Sequence, residues 1–122
     1  MTETPTPRTF KLTTSPRKGD KLAITVTTSD GLKVTKVTAR TYPFIVVTFG
    51  VWPSRYDRKL GRYVHDLHAD VQVTKGTGNR KVAEREYDRC SGAHARALLS
   101  VGGPSGYRIE KASSSVVREV AA

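Results

Sequence analysis

Residues 44–51, with the sequence Phe-Ile-Val-Val-Thr-Phe-Gly-Val, constrain the fold of this chain more than any other segment. Apolar side chains occupy both alternating faces of the segment, which is typical of a strand that is buried on two sides. Such a strand needs two covers, and we expect one of them to be a helix. The other is then a second sheet layer or another subunit, and the latter alternative is an argument for a homodimer.

A hairpin is predicted ahead of this strand. Residues 21–28 alternate apolar and polar side chains, and the Ser-Asp-Gly sequence at residues 29–31 suits a tight turn. The returning segment repeats the alternation but slips by one residue near positions 35–36, which predicts a β-bulge. With that bulge, the hairpin has an apolar inner face and a basic, threonine-rich outer face whose cations include Lys33, Lys36 and Arg40.

Other segments also predict strands. Residues 10–14 form a short alternating strand that Ser-Pro at positions 15–16 ends, and residues 63–73 alternate over a longer distance. On this second strand Tyr63, His65 and Val71 belong to one face with the other apolar residues. Residues 107–111 also indicate a strand, whereas residues 113–120 fit either an edge strand or a frayed helix.

One main helix is predicted after the glycine-rich segment at residues 75–79. Thr77 or Asn79 is a suitable cap, and side chains at helical spacing continue from Val82 to Val101. Gly92 predicts a kink or a division into two helices, and Gly-Gly-Pro at residues 102–104 ends the segment. The expected fold class is therefore α+β, a mostly antiparallel sheet of five or six strands with one main helix packed on a face. We expect a single domain over residues 8–122, preceded by a flexible lead-in at residues 1–7.

The chain is strongly basic, with a net charge of +10 and a pI near 10.1. Such a charge favours nucleic acid or an acidic protein surface as the partner. Cys90 is the only cysteine, which excludes an intramolecular disulfide and a cysteine-based zinc cage and suits a reducing cytoplasm. No apolar run is long enough for a membrane span and no secretory signal is recognisable, so we expect a cytoplasmic protein with no membrane partner.

The strongest candidate site is the segment 52–63, which combines cations with aromatic rings. We expect an exposed loop or a hairpin tip centred on residues 59–61. Cations meet phosphates and flat rings stack on bases, which is the chemistry that nucleic-acid binding needs. The candidate binding residues of this segment are Trp52, Arg55, Tyr56, Arg58, Lys59 and Arg62.

Two plainer interpretations stay open for these cations. The segment is alternatively a solvated loop that Trp52 and Tyr63 anchor to the core. The outer hairpin face with Lys33, Lys36 and Arg40 either extends the binding surface or protects an exposed strand against aggregation.

Weaker patterns do not support catalysis or metal binding. Asp66, His68 and Asp70 share one predicted strand face but are too widely spaced to close on one ion. Cys90 and His94 lie four residues apart on the apolar side of the predicted helix, where packing is the simpler explanation. We therefore predict no catalytic residue, no metal and no cofactor.

Residue usage carries one further hint. Val far outnumbers Ile, Arg exceeds Lys, and Asn79 is the only asparagine, a bias that GC-rich codons produce. In this bias, its short length and its basic charge, the chain resembles the small accessory proteins of phages that infect high-GC actinobacteria. The resemblance implies roles in host takeover or virion assembly, within the host cytoplasm, and it assigns no functional residue.

The sequence as a whole predicts a non-enzymatic basic binding module that binds nucleic acid through its basic and aromatic segment. The alternative is a phage-type accessory protein that binds an acidic host protein or a virion component. A continuous stripe of cations favours the first, and a flat patch with an apolar centre favours the second.

Overall fold

A central strand of 14 residues organises the fold, and the elements around it supply its two covers. The computed structural model describes residues 9–17, 21–38, 40–90, 95–102, 106–113 and 117–121. The expected lead-in at residues 1–7 lies outside this range. The described residues form β1 (Phe10–Arg17), β2 (Lys21–Thr28), β3 (Lys33–Val37), β4 (Phe44–Asp57), β5 (Arg62–Thr77), α1 (Arg80–Arg89), β6 (Ala95–Val101), β7 (Tyr107–Ser113) and β8 (Val117–Ala121).

The strands form two sheets. One has the order β3-β2-β1-β8 and the other the order β5-β4-β6-β7. All described pairings are antiparallel except that of β1 with β8. The α+β class and the mostly antiparallel pairing are confirmed, but the expected single sheet of five or six strands is wrong. Alternation identifies strands that have one buried face, and a sandwich and a single covered sheet give the same alternation.

Over residues 45–49, buried side chains lie on both faces of β4, as the sequence predicts. Val47 and Phe49 face the core between the two sheets, where the Phe49 ring meets that of Phe10 edge-on at 5.4 Å. Val46 faces the other way and packs with Ala83 and Tyr87 of α1. The second cover is thus a sheet layer of the same chain, so the argument for a homodimer loses its basis.

The helix begins where the sequence predicts but ends earlier. Asn79 caps it by accepting the backbone N–H groups of residues 81 and 82 at 2.9 and 3.2 Å. The expected continuation to Val101 is wrong, because residues 95–101 form the strand β6. This strand is buried on both faces, so apolar residues stand at nearly every position and also satisfy a helical spacing. Gly92 and His94 lie outside the described residues.

The β2–β3 hairpin forms with the predicted turn, in which Gly31 has a φ of +97°. The expected bulge near residues 35–36 is wrong, because the register between β2 and β3 is continuous. Lys36 consequently pairs with Ile24 and belongs to the inner face instead of the outer face with Lys33. The first strand also extends beyond its expected end, and residues 117–121 form a strand and not a helix.

Neighbouring apolar positions of β5 differ sharply in burial, which gives a test of this packing. Val71 is fully buried and Val73 is 37% exposed. Val71→Asp should destabilise the protein by on the order of 4 kcal/mol or more, because it buries a carboxylate without a partner. Val73→Asp is the matched control and should keep most of the stability. Urea unfolding followed by circular dichroism measures both, and a Val71→Asp variant as stable as the wild type would contradict the assignment of the core face.

Candidate nucleic-acid interface

The strands β4 and β5 extend beyond the rest of their sheet. The pairing of β4 with β6 begins at the pair Phe49 and Ala95, whereas its pairing with β5 continues to the pair Asp57 and Arg62. Among the described strands, β5 is therefore the only partner of β4 in this outer part. Residues 52–68 form a two-stranded projection that we term the hairpin arm, so the expected hairpin tip at residues 59–61 is confirmed.

A well-defined turn closes the hairpin arm. Oδ1 of Asp57 accepts the backbone N–H groups of Lys59 and Leu60 at 2.8 and 3.2 Å. The N–H of Gly61 donates to the Asp57 carbonyl at 2.8 Å, and Gly61 adopts a φ of +67°, in the left-handed region that favours glycine. These contacts fix the backbone that carries the tip side chains.

A β-bulge in β5 determines which side chains share a face of the hairpin arm. Trp52 pairs with His68, and Ser54 pairs with His65. Two steps along β4 therefore correspond to three steps along β5, so residues 66–67 lie opposite a single residue of β4. Because side chains alternate along a strand, this extra residue moves His65 to the same face as His68.

The bulge assembles a row of rings on one face of the hairpin arm. The Trp52 and His68 rings stack with centroids 6.1 Å apart, and the Tyr56 and Tyr63 rings meet edge-on at 5.2 Å. His65 stands between the two pairs in the register. Tyr56 and Tyr63 are 53% and 69% exposed. We term these five residues the aromatic strip.

Part of this strip differs from what the sequence predicts. Simple alternation predicts Tyr63 and His65 on the core face of β5, with Val71. Ala69 and Val71 are indeed buried, but Tyr63 and His65 are exposed on the opposite face because the bulge reverses the alternation. The only signal that the sequence offers is that simple alternation would place His65 and His68 on opposite faces, which leaves one imidazole among the apolar residues of the core face.

Arg55 is engaged with two carboxylates of the hairpin arm. Its Nε lies 3.2 Å from Oδ2 of Asp66, and its Nη1 lies 3.6 Å from Oδ2 of Asp57. The sequence predicted Arg55 as a binding cation, whereas its position makes it the counter-ion of both carboxylates. Exposed ion pairs of this kind contribute little stability, but they reduce the negative charge beside the tip.

Three other cations surround the turn. Arg58, Lys59 and Arg62 are exposed, and none of them forms an ion pair with a carboxylate in the described part of the chain. We term them the tip cations. Together with Trp52, Arg55 and Tyr56, they are the predicted site residues that the structure brings into the hairpin arm.

The remaining predicted cations lie elsewhere. Lys36 and Arg40 line a mostly apolar cleft of 350 Å³ with Val37, Tyr42 and Val73. Lys33 lies on the outer face of β3. Val73 is ten residues from Tyr63 along β5, a distance of about 33 Å for an extended strand. The cleft and the tip are therefore separate surfaces. The Arg40 guanidinium lies 5.8 Å from the Tyr42 ring centroid, and its hydrogen bond to Tyr42 raises the pKa of Arg40.

The weaker sequence candidates have other partners. Asp66 pairs with Arg55, His68 stacks on Trp52, and Oδ1 of Asp70 accepts the N–H of the next residue. Within the described residues, no group of three or more histidine, cysteine, aspartate or glutamate side chains is arranged to hold a metal ion. The cap of α1 is occupied by the Asn79 side chain.

Comparisons with known proteins give no assignment. No protein-family model matches the chain, and neither a search of curated proteins nor a search of solved structures finds a match. In the part of the chain that the structure describes, no helix combines the length and apolarity needed to cross a membrane.

The turn contacts of Asp57 generate a test of the tip geometry. Asp57→Ala removes the acceptor for two backbone N–H groups, and we expect a loss of about 1 kcal/mol of local stability. Amide hydrogen exchange at Lys59 and Leu60 should then become several-fold faster. Asp66→Ala is the matched control, because it also removes a carboxylate bound to Arg55 but no turn contact. Equal exchange in both variants would show that Asp57 does not hold the turn.

Proposed function

We propose that this protein is a non-enzymatic module that binds nucleic acid through the hairpin arm. One observation carries the proposal: the exposed Tyr56–Tyr63 pair stands beside three tip cations that have no described carboxylate partner. Aromatic rings offer stacking surfaces to bases, and unpaired cations attract phosphates. Both contacts are available on one element, and the rings and cations at its tip are exposed.

The charge distribution supports the same proposal. The net charge of +10 raises the concentration of any polyanion near the protein surface. The tip cations concentrate part of this positive charge at the turn of the hairpin arm. Arg55 contributes indirectly, because it pairs with the two carboxylates that otherwise repel phosphates. Cytoplasmic nucleic acid as the partner, with no membrane partner and no cofactor, belongs to this proposal.

The tip cations provide the direct test. In an Arg58→Ala, Lys59→Ala, Arg62→Ala variant, each lost phosphate contact should reduce the slope of log affinity against log salt by about 0.7 to 0.9. Fluorescence anisotropy with short labelled DNA and RNA, between about 50 and about 200 mM salt, measures this slope. The expected total reduction is about 2.

A matched variant separates local contacts from general charge. Lys21→Ala, Lys81→Ala, Arg85→Ala removes the same number of exposed cations outside the hairpin arm. It should change the slope much less than the tip variant does. Equal slopes in the two variants, or a wild-type protein that binds no nucleic acid at physiological salt, would refute binding through the hairpin arm.

The cleft favours a second candidate function, which is docking on an acidic protein. Its apolar lining of Val37, Tyr42 and Val73 has Lys36 and Arg40 beside it, which is the arrangement of an apolar centre with a basic rim. A host or virion protein that presents an apolar side chain among carboxylates fits such a surface, as expected for a phage-type accessory protein.

Charge reversal tests this second function. Lys36→Glu, Arg40→Glu should abolish capture of an acidic protein from a nuclease-treated host lysate, because like charges then oppose each other across the interface. The tip-cation variant should capture the same protein as well as the wild type does. Capture that survives the charge reversal would exclude the cleft.

A further inference from the structure

We infer that the aromatic strip selects single-stranded over double-stranded nucleic acid by stacking unpaired bases. This inference rests on the proposed function and specifies its ligand. Stacking on exposed aromatic rings tolerates any base sequence, because every base has a flat face. Tyr56 and Tyr63 offer such rings at the outer end of the strip, and the tip cations lie beside them.

The spacing of the strip argues for unpaired bases. Its rows follow the register of the hairpin arm: Trp52 with His68, then Ser54 with His65, then Tyr56 with Tyr63. Successive rows are two residues apart, or about 7 Å along a strand. Bases within a duplex rise by only about 3.4 Å and hide their faces against each other. Neighbouring bases that stack on successive rows must therefore unstack from each other. The bases of a single strand unstack at low cost.

The two faces of the hairpin arm differ in charge, and carboxylates repel phosphates. Here the side opposite the aromatic strip carries Asp66, whose side chain is 53% exposed, together with Asp57 and the Arg55 that pairs with both. A ligand that covers only the ring-bearing face avoids these carboxylates. A single strand lying along the strip is such a ligand.

The strip contains its own reporter. Trp52 is the only tryptophan of the chain, so the intrinsic tryptophan fluorescence comes entirely from this surface. A base that stacks at the row of Trp52 and His68 should quench that emission. Duplex DNA bound through the tip cations alone should leave it nearly unchanged.

The experiment compares a short oligothymidylate with a duplex of equal length at near-physiological salt, by anisotropy and by Trp52 quenching. The wild type should bind the single strand about tenfold or more tightly than the duplex, with quenching only by the single strand. Tyr56→Leu, Tyr63→Leu should weaken single-strand binding by about tenfold or more. Tyr56→Phe, Tyr63→Phe keeps both rings and should bind within about twofold of the wild type. Both tyrosines are exposed, and thermal melting verifies that each variant is folded.

The outcomes separate this inference from the function on which it rests. If the leucine variant binds the single strand as well as the wild type does, or if the duplex binds equally tightly with equal quenching, stacking on the strip is overturned while binding through the tip cations stands. If neither nucleic acid binds the wild type at this salt, the proposed function itself is overturned.

Discussion

The double burial of β4 is the constraint on which the rest of the structure depends. Its side chains alternate between a core shared with the other sheet and a smaller cluster under α1. Neither cover alone removes both faces of this strand from water, so both the second sheet and the helix are needed to bury it. The same strand then continues past its neighbours, and its outer part has β5 as its described partner. The position of the hairpin arm is thus a direct result of the length of the central strand.

Within the hairpin arm, charge and aromatic surface are divided between two faces. The ion pairs of Arg55 occupy one face, and the rings of the aromatic strip occupy the other. The tip cations at the turn are exposed. The proposed function depends on this division, because the ring-bearing face offers stacking surfaces while the carboxylates lie on the other face.

Several parts of this arrangement could be predicted from local patterns. The two-sided burial of residues 44–51, the β2–β3 hairpin with its turn, the Asn79 cap and the hairpin tip follow from periodicity and turn chemistry. The division into two sheets could not be predicted, because it depends on which buried faces meet. Residues 95–101 form a strand although their apolar residues also fit a helical spacing, because an apolar run without clear alternation does not distinguish the two.

The candidate site could also be predicted only in part. Clustering of cations and rings identified the segment, but the face that each side chain occupies depends on strand register. The alternation of the side chains predicts a bulge near residues 35–36, where the register is continuous, and predicts none at residues 66–67, where one occurs. The ion pair of Arg55 with Asp66 could not be predicted either, because the two residues come together only when β4 pairs with β5.

The bulge at residues 66–67 makes the backbone register of β5 a determinant of surface chemistry. If the same residues continued in simple alternation, Tyr63 and His65 would lie on the side that now holds Arg55. The composition of the chain would be unchanged, yet the rings would be dispersed over both sides and placed among carboxylates. Loss of one of the two bulge residues has a different effect, because regular alternation then still pairs Trp52 with His68 and Ser54 with His65 and keeps the rings together. Substitutions that remove the bulge at constant chain length are therefore equivalent to several simultaneous substitutions of the exposed side chains.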